Sequence, residues 1–352
     1  MSNEANTSPV YTAVALQAEC HSVNQCAGRA ESFDQMRASI DRISNHIRGT
    51  KDFVGPDTRL VVLPEYVLSG FPRGESIEAW KSLAALDIDG PEYELLSGVA
   101  QDRDVYLAGN AYENDPNFPD LFFQTCFIIE PSGNVILRYR RLISFYSPSP
   151  YDVWDEYLDR YGIDGVFPVA RTEIGNLAAI ASEEILYPEI ARCLMMRGAE
   201  VFVHPTSETG SPQLTPKDVA RRARAIENLA FVVSANTAAI RGIAHPPEST
   251  NAMSKVIDYF GRVLAEAGYG ESGAANALVD VGALRRYRRR PGMFNLLARQ
   301  PFQAYASSYA EHRFLEPTGF EQDNVPVPEF KRAHSLERQR AIIDRLADDG
   351  VI

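Results

Sequence analysis

The amino-acid sequence predicts an α/β fold in which parallel and antiparallel strands are mixed. Apolar, β-branched runs such as RLVVLPE at 59–65 have the composition of strands that are buried on both faces. Amphipathic segments lie between such runs, and in residues 31–48 the apolar side chains recur at steps of three and four. Two segments, 122–141 and 254–267, have the strand–turn–strand pattern of antiparallel hairpins. Together these patterns are typical of mixed sheets covered by helices.

The predicted elements follow one another without an internal repeat and without a linker before about residue 290. Strands are expected over 10–19, 59–65, 105–112, 122–141 (a hairpin), 176–182, 200–206, 230–238 and 254–267 (a second strand pair). Helices are expected over 31–48, 92–103, 216–229 and 335–349, and from Pro188 onwards. We therefore predict a disordered leader at 1–9, one domain over 10–290, and a C-terminal arm at 291–352 that packs on the domain or on a neighbouring subunit.

Composition and charge exclude several classes of protein. The 352 residues include 35 basic and 47 acidic side chains, and the net charge of −12 argues against nucleic acid and anionic membrane as partners. No run is long and apolar enough to span a bilayer, and the first ten residues lack the apolar core of a signal peptide. The cysteines and histidines show no metal-ligand spacing, so we expect no metal, no cofactor and a reduced, cytoplasmic location. The basic run at 285–290 is interpreted as a solvated element rather than a phosphate or RNA site.

Side chains suited to catalysis stand at the ends of several predicted strands. Glu65 ends one strand, Arg141 ends a second and Ser182 ends a third. His204 and Glu208 flank the end of a fourth. Because reactive groups in parallel α/β proteins gather at the carboxyl ends of the strands, we expect these side chains to share a site. A carboxylate, a cation and a hydroxyl suit acyl transfer as base, oxyanion stabiliser and nucleophile.

Five blocks of the sequence resemble the signature segments of the nitrilase superfamily, the carbon–nitrogen hydrolases. LVVLPEY, YRRLISF and IASEEILYPEIAR occur in the order and spacing of that family, and RARAIENLAFVVSANT and SKVIDYFGRVLAEA resemble its later blocks. The resemblance runs from about residue 10 to about residue 290, with aliphatic amidases and nitrilases as plausible relatives. It implies a four-layer α-β-β-α sandwich, a carbon–nitrogen hydrolase-like domain, a homodimer or higher homo-oligomer, and a pocket for a small amide, nitrile or carbamoyl compound.

The resemblance also implies roles for individual residues, and two of them depart from the family pattern. Glu65 matches the glutamate that acts as general base. Arg141 occupies the position of the lysine that stabilises the tetrahedral intermediate, and Ser182 occupies that of the cysteine nucleophile. The acidic residue that follows the nucleophile falls on Glu183 or Glu184. The second glutamate of the amidase branch has no clear match, and the nearest carboxylates are those of Asp152, Asp155 and Glu156.

The wall of the pocket is expected to come from the same strand ends and from an aromatic stretch at 144–165, interpreted as a helix that also forms the pocket rim. We predict that five side chains contact the substrate: Tyr146, Trp154, Glu184, His204 and Glu208.

The two departures leave the function open. A serine hydroxyl is far less acidic than a thiol and needs a well-aligned base and a strong oxyanion hole. Arginine keeps the positive charge of lysine but cannot lose a proton, and it suits the binding of a carboxylate. Ser182 is interpreted as a natural replacement that abolishes or redirects turnover, as a serine nucleophile, or as a cysteine deliberately changed to trap a substrate. The sequence therefore predicts either a hydrolase with weak or atypical turnover or a pseudoenzyme that binds a small carboxylate or amide, or acts as an oligomeric scaffold.

Overall fold

The computed structural model describes residues 9–208, 215–244, 246–248, 253–312, 314–315 and 332–351. All of the predicted leader except Pro9 lies outside these residues. The described strands, in chain order, are β1 (Val10–Ala15), β2 (Cys20–His21), β3 (Thr58–Val62), β4 (Tyr106–Asp115), β5 (Phe118–Ile129), β6 (Val135–Arg140), β7 (Ala170–Thr172), β8 (Gly175–Ala179), β9 (Val201–Thr206), β10 (Phe231–Asn236), β11 (Ile240–Arg241), β12 (Lys255–Ile257), β13 (Val263–Glu266) and β14 (Asn276–Asp280).

The described helices are interleaved with these strands. They are α1 (Arg29–Val54), α2 (Ile77–Ala84), α3 (Pro91–Arg103), α4 (Trp154–Val166), α5 (Pro188–Met196), α6 (Lys217–Asn228), α7 (Val281–Arg288), α8 (Phe302–Glu311) and α9 (Arg332–Asp348). Across the described residues, no helix combines the length and the apolarity needed to cross a membrane.

Two six-stranded sheets form the centre of the fold. The first has the strand order β14-β1-β3-β4-β5-β6, and the second has the order β13-β12-β10-β9-β8-β7. In each sheet three neighbouring strands are parallel, namely β1, β3 and β4 in the first and β8, β9 and β10 in the second. The flanking pairs of both sheets are antiparallel. The predicted mixture of parallel and antiparallel strands is therefore confirmed.

The two faces of the first sheet pack against different layers, because successive side chains of a strand point to opposite faces. Tyr11 and Ala13 of β1 belong to a buried cluster that includes the apolar side chains of the second sheet. Val14 belongs to a second cluster that includes Met36 and Ile40 of α1. Apolar residues of α5 and α6 join the cluster of the second sheet. The order of layers is therefore helix, sheet, sheet, helix, as the resemblance implied.

The predicted elements are present with shifted ends, and several short elements escape prediction. The helix predicted over 31–48 spans Arg29–Val54, and the strand predicted over 176–182 ends at Ala179. The helix α2 and the edge strand β14 were not predicted, because short elements contain too few residues for a periodicity to show.

The basic run at 285–290 lies in and just after α7, and two of its arginines bind groups within the protein. Arg285 pairs with the Glu200 carboxylate at 2.7 Å. Arg288 donates to the carbonyls of Leu229 and Ala199 at 2.9 and 2.6 Å. These bonds fasten α7 to the second sheet.

The C-terminal segment contacts the domain at two places. The Tyr309 hydroxyl of α8 donates to Glu189 at 2.7 Å, and Arg338 of α9 lies 3.4 Å from the Asp152 carboxylate. The division into leader, domain and arm stays a prediction.

Candidate active site

A cavity of about 240 Å³ lies beside the carboxyl ends of β3, β8 and β9. It brings together the three residues predicted from the strand ends to be catalytic, together with the aromatic side chain of Tyr146. Its lining consists of Glu65, Tyr66, Phe71, Arg141, Tyr146, Ser182, Glu183, Ser207, Lys217 and Ile240. Since parallel strands present their carboxyl ends at one edge of a sheet, residues far apart in sequence meet here.

Ser182 sits in a backbone conformation that few serines adopt. It follows the apolar strand β8 and opens a 3₁₀ turn over Ser182–Leu186, with φ of 46° in the left-handed region. Its carbonyl oxygen lies 2.8 Å from His204 Nε2, and His204 Nδ1 lies 2.8 Å from the Ser234 hydroxyl. Burial lowers the pKa of His204 well below its ordinary value, so the ring is neutral at pH 7. This neutral imidazole holds the strained turn by its backbone.

Lys217 is a charged residue of the cavity that the sequence did not predict. It is the first residue of α6, and its Nζ lies 3.1 Å from Ser182 Oγ, 3.2 Å from Thr206 Oγ1 and 3.4 Å from the Ser207 carbonyl oxygen. Its position at a helix start, 35 residues beyond Ser182, gave no hint of this contact.

Hydrogen bonds and an ion pair hold the start of α6 next to the end of β9, and this fixes the backbone position of Lys217. Glu208 forms a buried ion pair with Arg221 and accepts a hydrogen bond from the Thr215 hydroxyl at 2.6 Å. The backbone N–H of Glu208 donates to Asn236 Oδ1 at 3.0 Å. Glu208 therefore acts on the cavity through the placement of α6.

Arg141 joins the two carboxylates of the cavity. Its Nη1 lies 3.3 Å from Glu65 Oε1 and donates to Gln124 Oε1 at 2.9 Å, and its Nη2 lies 3.0 Å from Glu183. Its Nε donates to the Ile143 carbonyl at 2.7 Å. Glu65 Oε1 also accepts from Gln124 Nε2 at 2.7 Å, and no hydrogen bond joins Glu65 to Ser182 among the described residues. Arg141 is consequently occupied by protein groups.

Glu184 is fully buried and links the 3₁₀ turn that begins at Ser182 to the loop after β6. Its Oε1 accepts from the N–H groups of Leu142 and Ile143 at 2.8 and 2.9 Å. Its Oε2 accepts from the Tyr139 hydroxyl at 2.7 Å. Burial raises the pKa of Glu184 to about 7, while the charge of Arg141 and these donors oppose the rise. Glu184 therefore fixes Arg141 and Ser182 relative to each other.

Comparison with known proteins adds a family to this geometry. A family model described as Carbon-nitrogen hydrolase matches residues 22–289, which is more than half of the chain. The chain belongs to the carbon–nitrogen hydrolase family. The suspected membership in the nitrilase superfamily is thereby confirmed.

Relatives and solved structures of carbon–nitrogen hydrolases agree with this assignment. The chain is 23% identical over 264 residues to a probable nitrilase of Schizosaccharomyces pombe, an alignment that covers 75% of this chain and 90% of the relative. It is 28% identical over 216 residues to a formamidase of Bacillus cereus, covering 59% of this chain and 60% of the relative. A Saccharomyces cerevisiae protein from branch 10 of the nitrilase superfamily superimposes with a TM-score of 0.63 at 19% identity, covering 80% of this chain and 93% of that one. A carbon–nitrogen hydrolase of Helicobacter pylori has the same TM-score and identity, with coverages of 86% and 99%.

Of the five side chains predicted to contact substrate in this member of the carbon–nitrogen hydrolase family, Tyr146 lines the cavity. Trp154 instead packs at the start of α4, with its ring 5.3 Å from that of Tyr151. His204, Glu184 and Glu208 are buried behind the cavity and act through the contacts described above. The described lining residues also leave out Asp152, Asp155 and Glu156, and the second carboxylate of the cavity is Glu183.

Proposed function

We propose that the protein hydrolyses the carbon–nitrogen bond of a small amide, and that Ser182 forms an acyl ester with the carbonyl carbon. The observation that carries the proposal is the position of Ser182. It lines the cavity with Glu65 and Arg141, in a strained turn, and the family resemblance assigns the nucleophile to this position. A volume of about 240 Å³ is below the range of pockets for drug-sized ligands, which favours a short acyl group.

The charges around the cavity fit acyl transfer better than capture of a carboxylate. Arg141 gives its donors to Glu65, Gln124, Glu183 and a carbonyl group, so it holds the protein's own carboxylates rather than those of a ligand. A substrate carboxylate would also meet the negative charges of Glu65 and Glu183. A neutral amide carries no such penalty, and its carbonyl carbon is the electrophile that a serine attacks.

The test is release of ammonia from formamide, acetamide and propionamide by the purified protein and by Ser182→Ala. We expect turnover by the protein and a loss of at least about 1,000-fold in Ser182→Ala, because removal of a nucleophile leaves only binding and oxyanion stabilisation. Mass spectrometry of a quenched reaction should find the acyl group on Ser182. Equal turnover by the protein and by Ser182→Ala would overturn the proposal.

A second candidate function is non-catalytic binding of a small amide. It is favoured by one observation, the sequestration of Glu65 by Arg141 and Gln124 without a hydrogen bond to Ser182. In that case the same amides would raise the melting temperature without releasing ammonia, and Ser182→Ala would leave their binding unchanged.

We further infer a cytoplasmic homo-oligomer. Support comes from the four cysteines, which are all free, and from exposed apolar side chains. These include Tyr187 and Met196 at the two ends of α5 and Tyr305 and Tyr309 on α8. Sedimentation should give a multiple of the 39.1 kDa chain mass. A monomer at micromolar concentration would contradict the oligomer.

A further inference from the structure

We propose that Ser182 and Lys217 form a serine–lysine dyad, in which Lys217 Nζ accepts the proton of the Ser182 hydroxyl as Oγ attacks the substrate. This inference rests on the proposed function and adds its proton acceptor. The arrangement differs from the roles implied by the family resemblance, where the glutamate at position 65 is the base and the cation follows β6. Here the amine comes from α6.

Distance and occupancy favour Lys217 over Glu65 as the acceptor. Lys217 Nζ lies 3.1 Å from Ser182 Oγ, within the hydrogen-bond reach that a general base requires. Glu65 is bonded to Gln124 and Arg141 and has no such bond to Ser182 among the described residues. The amine is therefore the group in position to take the proton.

The three oxygen neighbours of Nζ, which accept from an ammonium group, can also satisfy a neutral amine. A neutral lysine has two N–H donors and one lone pair. The Ser207 carbonyl oxygen, at 3.4 Å, can only accept, and the Thr206 hydroxyl, at 3.2 Å, can accept the second N–H. The Ser182 hydroxyl then remains to donate to the lone pair. With Lys217 neutral, the hydroxyl proton would point along the path of its transfer.

The electrostatic surroundings of Lys217 oppose a permanent charge. Burial lowers the pKa of the ammonium group, the carboxylates of Glu65 and Glu208 act against this shift, and the guanidinium groups of Arg221 and Arg141 add to it. Neutral His204 lies behind the serine, and the other charged side chain of the cavity is Glu183. A lysine with a lowered pKa is a usable base near neutral pH, which an arginine at position 141 cannot be.

The proton steps balance through one catalytic cycle. Oγ bonds to the carbonyl carbon while its proton passes to Nζ, and the carbonyl π pair moves onto oxygen. The new ammonium group lies next to the negative charge that develops. Collapse breaks the carbon–nitrogen bond, and the proton leaves Nζ for the departing nitrogen. Water then attacks the ester and gives its proton to Nζ, and the proton returns to Oγ as the acid is released.

The experiment compares Lys217→Met, Lys217→Arg and the matched control Lys81→Met, whose lysine lies on α2 away from the cavity. Two readouts are used: ammonia release from short amides, and phosphonylation of Ser182 by a fluorophosphonate. In the second reaction the Oγ–P bond forms, fluoride leaves and the hydroxyl proton goes to Nζ. We expect both Lys217 variants to lose about 100-fold to 10,000-fold in both rates, and Lys81→Met to keep them. Near-normal rates in Lys217→Arg would overturn the dyad, because arginine keeps the charge but accepts no proton.

A pH profile keeps the test decisive should a variant fold poorly. In the unaltered protein the phosphonylation rate should rise with pH as Lys217 loses its proton, with a midpoint below the ordinary lysine value of about 10.4. A rate that stays constant from about pH 4.5 to about 9.5, a range that includes the pKa values of buried lysines, would overturn the dyad. The unaltered protein could release no ammonia and still be phosphonylated at a normal rate that both Lys217 variants lose. That outcome would refute the proposed amide hydrolysis and leave the dyad standing. Ammonia release that is lost in Ser182→Ala but kept in Lys217→Met would support the amide hydrolysis and refute the dyad.

Discussion

Replacing Arg141 by methionine is expected to lower the free energy of unfolding by about 3–5 kcal/mol, since it leaves one partner of a buried ion pair uncompensated. The side chains of Arg141 and Glu65 are only 4% and 1% exposed. Methionine retains the apolar stem and removes four contacts, those to Glu65, Gln124, Glu183 and the Ile143 carbonyl.

The magnitude comes mainly from Glu65. Glu183 is 39% exposed, so water replaces much of what Arg141 supplies to it, and a pair of that kind contributes at most about 1 kcal/mol. Glu65 is almost completely shielded from water and keeps only neutral donors, the Gln124 amide and the Tyr66 hydroxyl. If the uncompensated charge dominates, Glu65→Gln in the Arg141→Met background should recover about 1–3 kcal/mol.

Urea unfolding of the protein, the two single variants and the double variant measures this coupling. Arg37→Met is the control, because its pair with Asp34 is 54% and 66% exposed and its loss should cost less than about 1 kcal/mol. Additive effects of the two changes, within about 0.5 kcal/mol, would refute the reasoning that Arg141 is there to neutralise Glu65.

Three further predictions concern the scaffold of the cavity. The free energy of unfolding should fall as the pH drops below about 6.5, because the pKa of His204 is lowered in the folded state and the unfolded chain takes up the proton. In urea titrations between pH 7 and 5, His204→Gln should show a weaker dependence of this free energy on pH, and an unchanged dependence would contradict a neutral His204 in the folded state. Glu184→Leu should cost at least about 3 kcal/mol of unfolding free energy, because two backbone N–H groups and a tyrosine hydroxyl lose their buried acceptor. Glu184→Gln keeps an amide oxygen for the two N–H groups and should cost less, and equal melting temperatures of the two variants would argue against Glu184 as a buried acceptor. Gly109→Ala should lower the free energy of unfolding by about 1–3 kcal/mol, because the new Cβ would lie 2.6 Å from Phe127 Cζ. Gly98→Ala lies in α3 with open space around it and should be neutral or stabilising by up to about 1 kcal/mol. Calorimetry that ranks the two variants in the opposite order would refute the packing argument.

Local sequence patterns predict most of the strands and helices of the fold. The apolar runs and the three- and four-residue steps are properties of single segments, and the strands and helices that they predict are present. The ends of predicted strands also indicate that Glu65, Arg141 and Ser182 share one site, because parallel strands place their carboxyl ends at the same edge of a sheet. All three residues line one cavity. The second carboxylate was missed as a lining residue: Glu183, not one of the carboxylates near position 152, faces the cavity.

The sequence by itself determined which elements form and in what order, because periodicity and turn chemistry depend on near neighbours. Its resemblance to the nitrilase superfamily predicted that Ser182 occupies the nucleophile position. Only the tertiary structure decided which side chains surround that serine. Lys217 lies 35 residues away on another element, and Glu184, His204 and Glu208 turn behind the cavity rather than into it. Contacts of this kind depend on the packing of separate elements and on the rotation of each side chain, to which local periodicity is blind.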